Sequence, residues 1–145
     1  MINPSRYRII AIGKIRKPWI QRGIDLYMKR LPGLLITEIR DSTLSKEAET
    51  ISSSLKDGEL LIPLCEEGER FTSLTFSKRL QTIASQRIVF IIGGANGICP
   101  SIKDRAHILL SLSTLTFPHE IARLLLMEQL YRATTITRGG PYHRE

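Results

Sequence analysis

Segments with the hydrophobic pattern of strands alternate with segments of helical pattern along the 145-residue chain. Short apolar runs rich in β-branched residues predict strands at residues 7–12, 34–39, 60–64, 87–92 and about 107–112. Apolar residues spaced three to four apart predict helices over about residues 18–31, 45–55, 74–83, 119–133, and a short one from about 100. This alternation predicts an α/β fold with a mostly parallel sheet and helices on both faces.

The segments between these elements are short and polar. Residues 66–70 form a charged stretch that predicts a loop, and residues 134–145 form a polar tail after the last predicted helix. The sequence contains no linker, repeat or low-complexity tract. We therefore expect one domain that spans residues 1–145.

Composition narrows the function classes. The chain is 42% hydrophobic and 24% charged, without the roughly 18 uninterrupted apolar residues of a membrane helix and without a signal-peptide pattern. We therefore expect a cytoplasmic protein without a membrane partner. Cys65 and Cys99 stand alone, and His107, His119 and His143 show no ligand spacing, so neither a disulfide framework nor a metal site is predicted.

The formal net charge of +7 is suited to a polyanionic partner, because binding phosphates releases condensed counterions. Basic proteins without a nucleic-acid partner are also common. The charge alone therefore favours nucleic acid without establishing it.

Two candidate ligand loops follow predicted strands. Residues 93–97, Gly-Gly-Ala-Asn-Gly, allow a close backbone approach to a ligand, although they match neither the dinucleotide fingerprint nor a phosphate loop. Residues 112–118 alternate hydroxyl and apolar side chains before a proline, and their backbone could read the edge of an adenine. A ligand-free turn and a plain strand-to-helix connection are the respective alternatives.

The chain ends in a third candidate segment. Tyr142, His143 and Arg144 are consecutive, and these side chains can stack on a base, move a proton and bind phosphate or negative charge. The alternative is a frayed terminus.

Three motifs connect these segments to a known family. IIGGANGI, SLSTLTFPHEIARLLLMEQLYRA and the closing PYHRE, together with the N-terminal RIIAIGKIRKPWIQRGIDLYMKRLP, resemble the RlmH family of pseudouridine N3-methyltransferases. The resemblance covers essentially the whole chain. It implies the SPOUT class, with a C-terminal deep trefoil knot, a homodimer, and S-adenosylmethionine as methyl donor.

The resemblance also assigns residues. It implies a donor site formed by Leu64, Gly93, Gly94, Ser113, Thr114, Leu115, Thr116, Phe117 and Pro118. The expected reaction is methylation of N3 of a pseudouridine in 23S ribosomal RNA, in a large-subunit hairpin loop of the assembled ribosome.

The tail supplies the expected catalytic residues. We expect the tail to close over the donor pocket of its own subunit or of the partner subunit. His143 would then accept or relay the N3 proton, Arg144 would bind RNA or stabilise the imide anion, and Tyr142 would position the base. His119 is a weaker candidate, for which capping or packing is the simpler role.

Two other functions compete with this interpretation. A non-catalytic basic RNA-binding module would explain the charge and the tail, and it predicts no binding of S-adenosylmethionine. A flavodoxin-like nucleotide-binding enzyme is disfavoured by the missing phosphate loop and ribose-binding acid.

Overall fold

The computed structural model describes all residues, Met1–Glu145. Five parallel strands form the sheet, in the spatial order β2-β1-β4-β3-β5. The strands are β1 (Tyr7–Ile12), β2 (Leu35–Ile39), β3 (Glu59–Arg70), β4 (Arg87–Ile92) and β5 (Leu110–Ser111). The predicted parallel sheet is confirmed, and β1 and β4 have the predicted boundaries.

Helices cover both faces of this sheet, as the sequence predicts. They are α1 (Pro18–Arg30), α2 (Leu44–Ser54), α3 (Ser73–Thr82), α4 (Pro100–Lys103) and α5 (His119–Thr137), after a 3-10 turn at Pro4–Arg6. None of them is long and apolar enough to cross a membrane.

The central strand β4 shows how the two faces are built. Ile88, Phe90 and Ile92 pack into one core with apolar residues of α1, α3 and α5. Val89 and Ile91 point to the opposite face and pack with residues of α2 and α4. Alternation of side chains along a strand buried on both faces therefore produces two hydrophobic cores.

The charged segment 66–70 is not a loop, which corrects the sequence interpretation. It extends β3, and the Glu69 N–H donates to the Leu109 carbonyl at 2.7 Å. Leu64 and Glu69 both stand opposite Leu110, so a bulge separates two sections of this strand. Because the extension is mostly exposed and pairs only with the short edge strand β5, it needs no apolar alternation, and the hydrophobic pattern does not detect it.

Two further elements differ from the predictions by more than one residue. β5 spans only Leu110–Ser111 instead of about 107–112, and α5 continues to Thr137 instead of ending at Ala133. The hydroxyls of Thr134 and Thr135 donate to carbonyls three residues earlier in the helix, at 2.7 and 2.8 Å. These bonds satisfy the hydroxyl groups within the helix, whereas the polar pattern of residues 134–145 predicts a tail.

Candidate active site

A cavity of about 300 Å³ opens at the carboxyl ends of β4 and β5 and at the bulge in β3. Ligands in parallel α/β folds gather at this edge, because the loops that follow the strands converge there. The lining residues come from the bulge of β3, the glycine loop, α4, the loop after β5 and the start of α5.

The structure brings most of the predicted donor-site residues together here. The residues that line the cavity are Leu64, Gly93, Gly94, Ser113, Leu115 and Phe117. Thr114, Thr116 and Pro118 belong to the same loop but do not line the cavity.

The glycine loop forms a tight turn in which backbone meets backbone. A Cβ atom on Gly93 would lie 2.5 Å from the Gly97 carbonyl oxygen, and Gly97 has a φ of +77°. The Gly97 N–H donates to the Gly94 carbonyl at 3.0 Å and closes the turn. A side chain at position 93 would therefore force the turn apart.

The loop after β5 has a different property, since most of its amide groups have no partner within the chain. Ser113 Oγ accepts the Leu115 N–H at 3.0 Å, and no other backbone N–H of residues 112–117 donates a hydrogen bond within the protein. The Leu115 side chain is 69% exposed beside these groups. Free backbone donors next to an apolar side chain are suited to a flat heterocycle with polar edges.

Charged residues that the sequence interpretation missed also line the cavity. Lys103 Nζ lies 2.7 Å from Glu67 Oε1, and this hydrogen bond lowers the pKa of the Glu67 carboxyl. Glu66 lines the cavity beside this pair, and burial raises the pKa of the Cys65 thiol. Glu66 and Glu67 lie on the extension of β3, so recognising that extension would have revealed them, whereas Lys103 ends α4.

His119 and Glu120 connect the cavity with the loop between β1 and α1. His119 lines the cavity, and its Nε2 lies 3.6 Å from the point that a Cβ atom on Gly13 would occupy. Glu120 Oε1 accepts the backbone N–H groups of Lys17 and Arg16 at 3.1 and 2.9 Å, and these bonds lower the pKa of Glu120. The basic loop is therefore fixed next to the cavity.

The C-terminal tail folds back onto its own helix α5. The Tyr142 hydroxyl donates to Glu128 at 2.8 Å, and burial raises the pKa of Tyr142, which keeps the hydroxyl protonated. The Arg132 guanidinium lies over the Tyr142 ring, 4.8 Å from its centroid, and is 3.0 Å from His143 Nδ1. Arg144 is exposed.

Within one chain the tail and the cavity lie far apart. Ala122 is the last residue of α5 that lines the cavity, and Arg132, which contacts His143, is 10 residues further along the helix. At 1.5 Å per residue this separation amounts to about 15 Å. The structure therefore does not bring the predicted catalytic residues to the cavity of their own chain.

Comparison with known proteins agrees with this architecture. Residues 5–143 match the family described as "Predicted SPOUT methyltransferase". The chain belongs to the SPOUT methyltransferase family. Full-length relatives named "Ribosomal RNA large subunit methyltransferase H" support its RlmH branch, as the sequence motifs predict.

Two of these relatives illustrate the agreement. The protein from Prochlorococcus marinus (strain MIT 9211) is 64% identical over 144 residues, which are 99% of both chains. The protein from Synechococcus sp. (strain CC9311) is 59% identical over 143 residues, 99% of both chains.

Solved structures share the SPOUT fold at low sequence identity. A probable methylase family protein from Haemophilus influenzae Rd KW20 has a TM-score of 0.62 at 15% identity, with 98% of this chain and 72% of that chain covered. The SpoU methyltransferase AviRb from Streptomyces viridochromogenes, solved with AdoMet, has a TM-score of 0.50 at 12% identity, with 92% and 58% covered. Family membership implies the C-terminal trefoil knot that the resemblance predicts.

The cavity fits S-adenosylmethionine, the donor that SPOUT methyltransferases use. Its volume lies within the range of small-ligand sites, and the free amides of residues 112–117 are complementary to an adenine edge. Leu115 and Phe117 supply apolar walls, and Lys103 in the lining is paired with Glu67. The carboxylate of Glu66 has no such partner, so the lining is suited to a nucleoside that carries a positive charge.

Proposed function

We propose that this SPOUT methyltransferase uses S-adenosylmethionine to methylate large-subunit ribosomal RNA, at N3 of a pseudouridine in 23S RNA. The observation that carries the proposal is the cavity at the strand ends, where the backbone donors of residues 112–117 are free. Full-length relatives at 55–64% identity carry the name ribosomal RNA large subunit methyltransferase H, which supports the choice of RNA.

The donor, when bound, supplies an electrophilic methyl group, and the residues of the chain hold and orient the donor. Leu64, Gly93, Gly94 and the loop Ser113–Pro118 would hold the adenosine and orient the sulfonium toward the mouth of the cavity. In-line displacement depends chiefly on this alignment, so a well-shaped cavity provides most of the acceleration.

The surface beside the cavity is suited to RNA. Lys14, Arg16 and Lys17 are exposed on the loop that Glu120 fixes, and Trp19 follows with 54% of its surface exposed. Cations bind phosphates, and an exposed aromatic ring can stack on an unpaired base. We propose that this edge meets the hairpin loop of the RNA within the assembled ribosome, in the cytoplasm.

The position of the tail supports the proposal that the working unit is a homodimer of single-domain subunits. None of Tyr142, His143 and Arg144 lines the cavity of its own chain, and Arg132, which contacts His143, lies about 15 Å along α5 from the last lining residue of that helix. Leu26 on α1 and Leu125 on α5 leave 46% and 36% of their surface exposed, on two helices that pack together. We propose that a second copy covers this surface and receives the tail at its own cavity.

The decisive test is methyl transfer from a labelled donor to ribosomes that lack the modification, followed by identification of the labelled nucleotide. We expect label at N3 of one pseudouridine of 23S RNA. Label at another atom or nucleotide would overturn the choice of target. A folded protein that shows no calorimetric affinity for S-adenosylmethionine would instead favour the non-catalytic RNA-binding module.

A further inference from the structure

The two ring nitrogens of His143 have different environments. Nδ1 lies 3.0 Å from NH1 of Arg132. Nε2 is buried and has no hydrogen-bond partner in the chain. No other buried polar side-chain atom of the tail lacks a partner.

The contact with Arg132 determines where the proton of a neutral His143 resides. A guanidinium has only donors and stays protonated in proteins, so it donates to Nδ1, and Nδ1 must accept with its lone pair. The neutral ring then carries its proton on Nε2. This arrangement is the reverse of a carboxylate-histidine pair, in which Nδ1 donates and the lone pair remains on Nε2.

Arg132 is held firmly enough to impose this choice. Its NH2 and Nε donate to the two carboxylate oxygens of Glu128 at 2.6 and 3.3 Å. Its guanidinium also packs on the ring of Tyr142, whose hydroxyl donates to the same carboxylate. Glu128 and Tyr142 thus fix the guanidinium whose third nitrogen faces His143.

We propose that Arg132 is a positioning residue that holds His143 as the Nε2–H tautomer, so that His143 serves as a hydrogen-bond donor to the acceptor base and not as its proton acceptor. This inference rests on the proposed function and revises the role that the sequence gives to His143. Its substrate partner is a carbonyl oxygen next to the methylated nitrogen.

The chemistry of an imide nitrogen favours such a donor. When the N3 proton leaves to water, the negative charge spreads onto the two flanking carbonyl oxygens. The N3 electron pair then forms the new N–C bond, and the C–S bonding pair remains with the departing thioether. A neutral N–H directed at one carbonyl oxygen stabilises the anion throughout this sequence.

Nuclear magnetic resonance tests the tautomer without requiring activity. The protein is labelled with ¹⁵N-histidine, and ring correlations of its three histidines, His107, His119 and His143, are recorded at pH 7. The His143→Gln variant assigns the His143 signals. We expect a protonated Nε2 and an unprotonated Nδ1, and a mixture of both tautomers in Arg132→Met.

Arg30→Met is the matched control for the tautomer. Arg30 lies over the rings of Tyr131 and Tyr27, at 5.3 and 6.0 Å, and its replacement removes a cation from the same cluster without breaking a bond to His143. We expect the Nε2–H tautomer to persist in this variant. A proton on Nδ1 of wild-type His143 would overturn the proposal.

Activity separates a donor from a proton acceptor. A glutamine amide can place an N–H close to the position of histidine Nε2 but cannot take up a proton. We expect His143→Ala to lower kcat about a hundredfold and His143→Gln to remain within about tenfold of wild type. Equal losses in the two variants would overturn the donor role.

The experiments can refute the proposed function and the tautomer of His143 independently of each other. A wild-type enzyme that leaves ribosomal RNA unmethylated would contradict the proposed function, whereas the tautomer would still be read from the resonance spectra. Arg132→Met should also lower kcat by about tenfold or more, because a histidine in the wrong tautomer loses its function. Full activity of Arg132→Met together with a mixed tautomer would refute the positioning role.

Discussion

Arg123 on α5 and Glu38 on β2 form an ion pair of 2.6 Å in which the two partners are unequally buried. The Arg123 side chain is 3% exposed and that of Glu38 is 38% exposed. Arg123 also donates to the Gly13 carbonyl at 3.1 Å. One buried cation therefore ties the last helix to the carboxyl ends of β1 and β2, next to the loop that borders the cavity.

Removal of Glu38 alone should lower the free energy of unfolding more than removal of both partners of the ion pair. Glu38→Ala leaves a buried guanidinium with only the Gly13 carbonyl, and we expect a loss of about 2 kcal/mol in unfolding free energy, below the range for fully buried pairs because Glu38 is partly solvated. The double variant Glu38→Ala, Arg123→Met should be more stable than Glu38→Ala alone. Urea denaturation measures both, and additive losses would contradict the argument.

Glu120 should make stability depend on pH in the acid range. Hydrogen bonds from the backbone of Lys17 and Arg16 lower its pKa in the folded state below the unfolded value of about 4.3. Its stabilisation is therefore complete above that value and disappears as the pH falls through the folded pKa. Relative to Glu120→Gln, wild type should be more stable by about 1 kcal/mol at pH 7.

The two proteins should converge in stability at lower pH. Thermal unfolding followed from pH 7 to pH 3 measures the difference. A difference that is constant over this range would show that the carboxylate charge has no part in holding the loop.

The glycine turn should tolerate a methyl group at position 94 better than at position 93. Gly93→Ala places a Cβ 2.5 Å from the Gly97 carbonyl oxygen, whereas Gly94→Ala meets only side chains, that of Ile12 at 3.1 Å and that of Asp41 at 3.6 Å. We expect Gly93→Ala to weaken S-adenosylmethionine binding about tenfold and to lower the unfolding free energy by about 2 kcal/mol. Calorimetry and denaturation should show a clearly smaller change for Gly94→Ala.

A tail that serves the partner subunit predicts complementation between two inactive proteins. His143→Ala removes a tail function, and Ala122→Phe is intended to fill the cavity that Ala122 lines. A heterodimer of these variants, isolated with two affinity tags, keeps one intact composite site if the tail acts across the interface. We expect about half of wild-type activity, since a twofold dimer has two such sites.

The control for this experiment is a heterodimer in which both subunits carry His143→Ala. It should remain as inactive as the single-variant homodimer. If the mixed heterodimer were equally inactive, the tail would have to reach the cavity of its own chain.

The sequence predicts the buried parts of this fold well, and the physical reason is visible in β1 and β4. Both strands are buried on two faces and read as continuous apolar runs with sharp ends. Residues 66–70 and Thr134–Thr137 were assigned wrongly because their structure depends on edge pairing and on hydroxyl bonds within the helix. Neither interaction leaves an apolar period in the sequence.

The sequence likewise predicts one part of the candidate site and misses another. The motifs selected loops that the structure does gather at one cavity, including Gly94 and Ser113. They did not show that His143 would contact Arg132, because that bond joins residues from a helix and a chain end whose mutual position only folding determines. A resemblance also had to supply the expectation of a knot, which hydrophobic period does not encode.

The proposed recognition of the donor through main-chain amides has an evolutionary consequence for the loop that follows β5. Thr114 and Thr116 do not line the cavity, so we expect their side chains to be replaceable without loss of donor affinity. Variation at Ser113 is different, because its hydroxyl shapes the path of the backbone. We therefore expect selection at this loop to preserve the backbone conformation more strictly than the identity of the side chains.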